Sequence, residues 1–483
     1  MLTYDLSQRG EESRYIYLYQ RIKADIEAGS IAAGERLPSK RGLAQHLGVS
    51  LVTVENAYAQ LVAEGYVRSE PRRGYYAQAV TGQQAFGGAS GKAPRAAASP
   101  SHRLAPQVLS VPEGDPLIAD LTGRTPAREL FPYNLWARAL RQALACESEE
   151  SLVDESRALG SARLRRALAA YLRGSRGMQV EPDQIVVGAG AQMLYGLIVQ
   201  LLGRDKKFAL EDPGYPRLTN IYDSLDVESA HVALDEGGIQ MQALRASGAD
   251  VAHIMPSHQY PTGLITPISR RYELLGWASE RQDRYLIEDD YDCEFRLSGR
   301  PIPPLQSIDM QGRVIYVNTF TRTLGSAFRL GYMVLPPDLA QEYKSRLGFY
   351  ACTVSVIDQL ALARLIESGE YERHLNRCRS HYRKVRDLLV DALKASALAP
   401  HVGFSHADGG LHFVLTVESL LTEEELASAA RDQGVALSPL SFFLMDVRNV
   451  RASDKRQMVI NFNSLDASAV PAVVEALERA WMR

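Results

Sequence analysis

Several short segments of this chain place acids, phenols, hydroxyls and guanidinium groups at the ends of apolar runs. Ile287-Glu288-Asp289-Asp290-Tyr291-Asp292 closes one such run with four carboxylates around a phenol. Carboxylates are costly to bury alone, so this segment needs a cationic partner. Gly188-Ala189-Gly190-Ala191-Gln192 follows the apolar Ile185-Val186-Val187 and opens a helical pattern. Backbone N–H groups at such a strand-to-helix turn are suited to holding a phosphate. Glu211-Asp212-Pro213-Gly214-Tyr215-Pro216-Arg217 makes a turn and then offers Tyr215, an aromatic able to stack on a flat ring. Pro256-Ser257-His258-Gln259-Tyr260-Pro261-Thr262-Gly263 reads as a loop with a polar rim. Asn318-Thr319-Phe320-Thr321-Arg322-Thr323-Leu324 and Arg329 complete the set.

The elements that must position these groups alternate. Ile185–Val187, Lys207–Leu210, Ala252–Met255, Tyr285–Ile287 and Val314–Val317 have the apolar character of buried strands. Amphipathic helical patterns such as Leu194–Leu202 and Arg270–Glu280 separate them. Alternating strand and helix predicts a mostly parallel, doubly wound sheet. From Tyr371 onward a long helix, strands such as Leu411–Leu415 and a closing helix from Ala467 predict a smaller α+β lobe. A phosphate cradle, a stacking aromatic and an acid facing a ring cation together fit pyridoxal phosphate, whose ordinary site also needs a lysine for the aldehyde.

The first part of the chain differs. Tyr15–Ala28 carries a helical stripe of Ile16, Tyr19, Ile22 and Ile26. Ser39 is a natural N-cap for a second helix that stops at Leu47-Gly48, and Ser50 for a third. Helix, glycine turn and helix predict a unit whose last helix enters a DNA major groove. Tyr66–Arg68 and Tyr75–Ala77 predict two strands, with Arg72-Arg73-Gly74 a basic tip between them. Between these parts, residues 80–115 are rich in Gly, Ala, Ser, Pro and Gln without periodicity, which predicts a flexible tether.

Composition bounds the rest. With 483 residues the chain needs several domains, and 46% hydrophobic residues suffice for large cores. A net charge of −3 excludes a wholesale polyanion binder, so any DNA contact rests on charge placed on one face. The four cysteines lack a CxxC pair, as expected of reduced thiols. No apolar run approaches a membrane span, and the first residues lack a signal pattern, so the cytoplasm is the expected location.

Two resemblances sharpen this reading. Gly34-Glu35-Arg36-Leu37-Pro38-Ser39-Lys40-Arg41-Gly42-Leu43-Ala44, followed by Leu47-Gly48-Val49-Ser50-Leu51-Val52-Thr53-Val54, resembles the winged-helix head of the GntR family. The resemblance implies DNA contacts from Arg36, Ser39, Arg41, Ser50, Thr53 and Gly74, with Arg72 and Arg73 in the wing. Leu51 departs from it, since the family usually has arginine there. The loop Ser257–Gly263, the acid strand Glu288–Arg296 and the segment Thr319–Tyr332 resemble the fold-type I aminotransferase domain of the MocR branch of that family. This implies a pyridoxal phosphate site in which Tyr215 stacks on the ring, Asp289 pairs with its nitrogen and Tyr291 bonds its hydroxyl. Gly190, Ala191, Gln192, Thr319 or Thr321, and Arg329 hold the phosphate, while Arg217 and His258 lie on the effector side. Ala191 replaces a serine frequent in the family.

The family's Schiff-base lysine falls on Arg322, seven residues before Arg329. A guanidinium stays protonated, with pKa above about 12, and cannot form that bond. At most non-covalent cofactor binding is then expected, and no turnover. The expected architecture is a winged helix-turn-helix (1–79), a linker (80–115) and an α/β aminotransferase-like domain (116–483). Within the last, the large lobe spans about 160–370 and the small lobe about 371–483. The expected function is an operator-binding regulator governed by pyridoxal phosphate, an amino compound or both. The expected assembly is a homodimer with head-to-tail swapped heads. An active aminotransferase, or a regulator responding to another anionic metabolite through Arg322 and Arg329, are the alternatives.

Overall fold

The computed structural model describes residues 2, 4, 12–70, 73–79, 117–123, 130–148, 152, 157–299, 302–446 and 455–482. The expected tether lies outside them, as does Arg72. In the head, helices α1 (Arg14–Glu27), α2 (Lys40–Leu47) and α3 (Leu51–Ala63) precede a hairpin of β1 (Val67–Glu70) and β2 (Gly74–Ala77). Ile16, Tyr19, Ile22 and Ile26 are buried, as the helical period requires. The Ser39 and Ser50 hydroxyls accept from the backbone N–H of Gly42 at 3.1 Å and Thr53 at 3.2 Å, so both predicted caps form. Gly48 ends α2 with φ of 63°, a conformation that costs a side-chain-bearing residue about 1 kcal/mol.

The large lobe is built on eight strands: β4 (Ile185–Gly188), β5 (Phe208–Asp212), β6 (Ser229–Asp235), β7 (Gly238–Ile239), β8 (Val251–Ile254), β9 (Tyr285–Asp289), β10 (Val314–Thr319) and β11 (Gly331–Val334). Their order is β4-β11-β10-β9-β8-β5-β6-β7. Only β11 and β7 run against their neighbours, so the sheet is mostly parallel, as predicted. Alternate residues pack on opposite faces. Val187, Tyr316 and Tyr332 meet the helices Ala162–Arg176 and Val356–Glu367. Val186, Ile315 and Met333 meet the helix Ala191–Leu202. Burial on both faces is why these strands read as continuous apolar runs.

The small lobe has a sheet ordered β12 (Val402–Ser405), β13 (His412–Val417), β16 (Arg456–Asn461) and β15 (Ser438–Pro439). The 26-residue helix Glu370–Ala395 leads into it. One feature differs from the expected division. The short strand β3 (Ala119–Asp120) pairs with β14 (Val435–Ala436), and Ala119 and Leu121 join the small lobe's core. A two-residue strand has no readable period, so this return of the chain was invisible in sequence. Among the described residues no helix is long and apolar enough to cross a membrane.

The head sits against the large lobe. Ile268, first residue of the helix Ile268–Ser279, is buried in the head's own apolar cluster, with Tyr272 and Ile308 packed beside it. The Ile268 N–H donates to the Glu64 carbonyl at 3.2 Å. Gly65, with φ of 78°, lies so close that a Cβ would stand 2.6 Å from that of Pro267.

Candidate functional site

In open α/β sheets ligands bind beyond the carboxyl ends of the parallel strands. Here β4, β5, β8, β9 and β10 end on one edge, and β9 carries the acid run there. The fold itself neutralises most of that run. Glu288 accepts backbone N–H groups of Leu305 at 2.7 Å and Gln306 at 2.8 Å. Asp290 pairs with the buried guanidinium of Arg176, and Tyr316 donates to it at 2.8 Å. Asp292 meets His258 Nδ1 at 2.9 Å.

Among the described residues only Asp290 of this run has an arginine or lysine ion pair; Asp289 is met by a phenol and an imidazole instead. The Tyr195 hydroxyl donates to it, and His253 Nε2 lies 3.6 Å away. Tyr222 hydrogen-bonds His253 Nδ1 at 2.7 Å, extending the network. A carboxylate at a strand end with a phenol and an imidazole beside it is the group a ring cation would complete. Tyr215 lines the neighbouring cleft with His253, Tyr260 and Met445. Tyr291 bonds His258 Nδ1 at 3.2 Å, and burial holds its phenol well above the usual range.

The segment expected to hold a phosphate forms a strand-to-helix turn between Gly188 and Ala191. Gly190 has φ of 82° and starts the helix Ala191–Leu202, whose first N–H groups lack intrahelical acceptors. A Cβ at Gly190 would lie 2.8 Å from Arg329 Nη2, so only glycine lets that guanidinium close over the turn. Arg329 also donates to the Ala189 carbonyl at 3.2 Å and adopts φ of 50°. Ala191 and Gln192 occupy the first helical turn. Thr319 pairs with Gly331, which pairs with Gly188, so the threonine and the cradle flank one residue of β11. Thr321 opens the short turn Thr321–Leu324 that carries Arg322.

Arg322 donates to the Gly123 carbonyl at 3.2 Å. Its charge is felt by both Tyr291 and His412, placing it in the same pocket. Lys206 and Lys207 are engaged elsewhere, with Asp283 and Glu228, each at 2.8 Å. Arg217 departs from expectation: it is exposed in the first turn of the helix Pro216–Ser224 and does not line the cleft. The first-turn geometry of that helix points Tyr215 and Leu218 inward instead. Four residues that sequence reasoning did not single out shape the site: Arg176, Tyr195, His253 and His412. His253 carried a signal, a lone imidazole inside the apolar Ala252–Met255.

In the head, Arg36, Ser39, Arg41 and Ser50 are exposed and Thr53 partly so. Thr53 Oγ1 lies 2.8 Å from Ser50 Oγ. The Arg36 guanidinium lies along Gly74, where a Cβ would stand 3.1 Å from its Nε. Arg73 is exposed at the hairpin, 3.7 Å from Glu70. Leu51 and Val52 are also exposed on α3. The lobe-facing groups, Gln60 and Glu64, are buried at the opposite end of α3.

A helix-turn-helix head followed by a fold-type I aminotransferase-like domain defines the class. The pattern of the gntR family of bacterial regulatory proteins matches residues 14–76, and that of class I and II aminotransferases residues 129–477. The chain is 35% identical to the uncharacterised HTH-type transcriptional regulator YhdI of Bacillus subtilis, over 99% of this chain and 97% of that one. It is 32% identical to the probable rhizopine catabolism regulatory protein MocR of Rhizobium meliloti, over 96% and 93%. It is 31% identical to the pyridoxine biosynthesis regulator PdxR of Corynebacterium glutamicum, over 88% of each. A multiple-substrate aminotransferase of Thermococcus profundus superposes with a TM-score of 0.66 at 25% identity, covering 76% of this chain and 92% of that one. The chain belongs to the gntR family, among its MocR-type members, and is a DNA-binding transcriptional regulator with an aminotransferase-like domain.

Proposed function

We propose that the cleft binds pyridoxal phosphate, an amino compound or both, and that its occupancy sets how the DNA-binding head is held. One observation carries this reading. Arg271, buried in the helix on which the head sits, clamps both ends of the cleft loop. It donates to the Pro256 carbonyl at 2.8 Å and the Thr266 carbonyl at 2.9 Å. A third bond reaches the Pro303 carbonyl at 2.6 Å. A ligand that shifts the 256–266 loop therefore moves the seat of the head through one rigid group.

The residues present fit the cofactor's ring and phosphate but not its covalent anchor. When bound, the cofactor supplies a reactive aldehyde on an electron-withdrawing ring. Asp289 would hold the ring nitrogen, Tyr291 its hydroxyl, Tyr215 its face, and Gly190, Ala191, Gln192, Thr319, Thr321 and Arg329 the phosphate. Arg322 occupies the position that the family resemblance gives to the lysine. It retains a positive charge and supplies neither a nucleophile nor a proton shuttle, so the protein regulates and does not turn over substrate. The regulator works in the cytoplasm as a homodimer on paired half-sites. Heads exchanged between subunits would use this same Ile268–Glu64 seat in trans.

The test is operator affinity of the full chain, on a duplex selected from random sequence, with and without pyridoxal phosphate. Coupling of 1–3 kcal/mol, roughly 5- to 150-fold, is the expected scale. Cofactor binding that leaves affinity and half-site spacing unchanged would refute the reading.

A further inference from the structure

At the border of the cofactor-shaped cleft, His412 of the small lobe meets His258 of the 256–266 loop, and the regulatory reading gives this pair of imidazoles no chemistry of its own. His258 and His412 are buried, with ring centroids 4.6 Å apart. One donor atom each from His258, Asp292 and His412 lie within 4.8 Å of one another. His258 Nδ1 is engaged by the Asp292 carboxylate at 2.9 Å and the Tyr291 hydroxyl at 3.2 Å, which leaves Nε2 as the nitrogen available to a ligand. His412 donates to the Pro261 carbonyl. That bond must come from Nδ1, because His412 Nε2 has no partner among the described residues. His258 Nε2 has none among them either.

Two buried ring nitrogens, on rings whose centroids lie 4.6 Å apart, are thus without a partner among the described residues. A buried polar atom left unmet is destabilising, so a ligand that meets both is favoured. The backbone is shaped around them. Gly410 has φ of 67°, and a Cβ there would stand 1.9 Å from His258 Cε1 and 2.6 Å from Asp292 Oδ2. A Cβ at Gly263 would lie 3.5 Å from His258 Nε2 and 2.9 Å from His406 Cβ, which puts the exposed His406 at the rim.

We propose that His258 and His412 bind a divalent transition-metal ion of the zinc class through Nε2, with Asp292 and the Pro261 carbonyl orienting the rings and His406 closing the site. Imidazoles whose second nitrogen donates to a carboxylate or a carbonyl are the usual outer-shell arrangement of histidine metal sites. Zinc, cobalt, nickel and copper suit such ligands, whereas calcium and magnesium require oxygen. Arg322 opposes the ion by its charge. The site is therefore weaker than a structural zinc site and responsive to an anion that screens that guanidinium.

The test uses chelator-treated, tag-free full-length protein titrated with Co²⁺, then with Zn²⁺. The expected result is one Co²⁺ per chain with a visible ligand-field spectrum that Zn²⁺ removes. His258→Gln and His412→Gln abolish the spectrum, and Asp292→Asn weakens binding about 10- to 100-fold. Arg322→Gln tightens it, and Cys146→Ser, which removes an exposed thiol, leaves it unchanged. Far-UV circular dichroism and duplex binding by the head confirm that each variant is folded, and His412→Asn replaces His412→Gln if the latter is not. Absence of a spectrum from the folded parent, or a spectrum and stoichiometry indifferent to His258→Gln and the folded His412 variant, overturns the proposal.

Discussion

Replacing Ile268 with alanine isolates the contact between head and lobe. The side chain belongs to the lobe, yet it is 6% exposed and packs within the head's apolar cluster. Truncating a buried isoleucine costs about 2–5 kcal/mol. An interface relaxes more than a core, so the low end, about 2 kcal/mol, applies to the seat. That loss multiplies the unseated population by roughly 30. The head's own fold is spared, because none of its residues changes. The exposed Ser39, Arg41 and Ser50, which the family resemblance implies as DNA contacts, are likewise untouched. Hydrogen exchange by mass spectrometry should show faster exchange at Ile268 and across residues 60–66, at unchanged rates in α2. Affinity for a single half-site should stay within about threefold, while the ligand-linked change in operator affinity falls. Unchanged exchange at the seat, or half-site affinity lost as severely as the coupling, would show that the head is not held through Ile268.

Other outcomes follow from the same geometry. Arg322→Lys should develop the visible absorption of a lysine-linked cofactor on adding pyridoxal phosphate, with the parent showing only the spectrum of non-covalent binding; identical spectra would deny Arg322 the anchor position. Leu51→Arg should tighten duplex binding and steepen the salt dependence by about one phosphate contact, checked by anisotropy at several salt concentrations. Glu211 is buried, and burial pushes its pKa from 4.5 up to about 8. A raised folded-state pKa means stability present below 4.5 and lost as pH rises toward 8. Glu211→Gln should therefore narrow the gap in melting temperature between pH 5 and pH 8; Glu288 and Glu294, each pushed up to about 7, preserve part of it.

Local order governs what was readable without a fold. The Ser39 and Ser50 caps, the Gly48 stop and the stripe from Ile16 to Ile26 depend on neighbours within a turn or two, so residue type and spacing specify them. The same holds for Gly190 at a helix start and for Asp289 at a strand end. Such motifs place their groups on the binding edge once the strands run parallel. Partnership across the chain is another matter. Asp289 and Asp290 are adjacent and chemically alike, yet Arg176, 114 residues earlier, neutralises only Asp290. Which carboxylate remains for a ligand was settled by how the helix Ala162–Arg176 packs on the sheet. Likewise His258 and His412 meet only because the small lobe folds back over the Pro256–Thr266 loop. The seat of the head on Ile268 and the pairing of β3 with β14 also join segments remote in sequence. Capping and periodicity act within a few residues and so belong to the sequence alone, whereas charge pairing and burial act between surfaces that exist only after the chain has closed on itself.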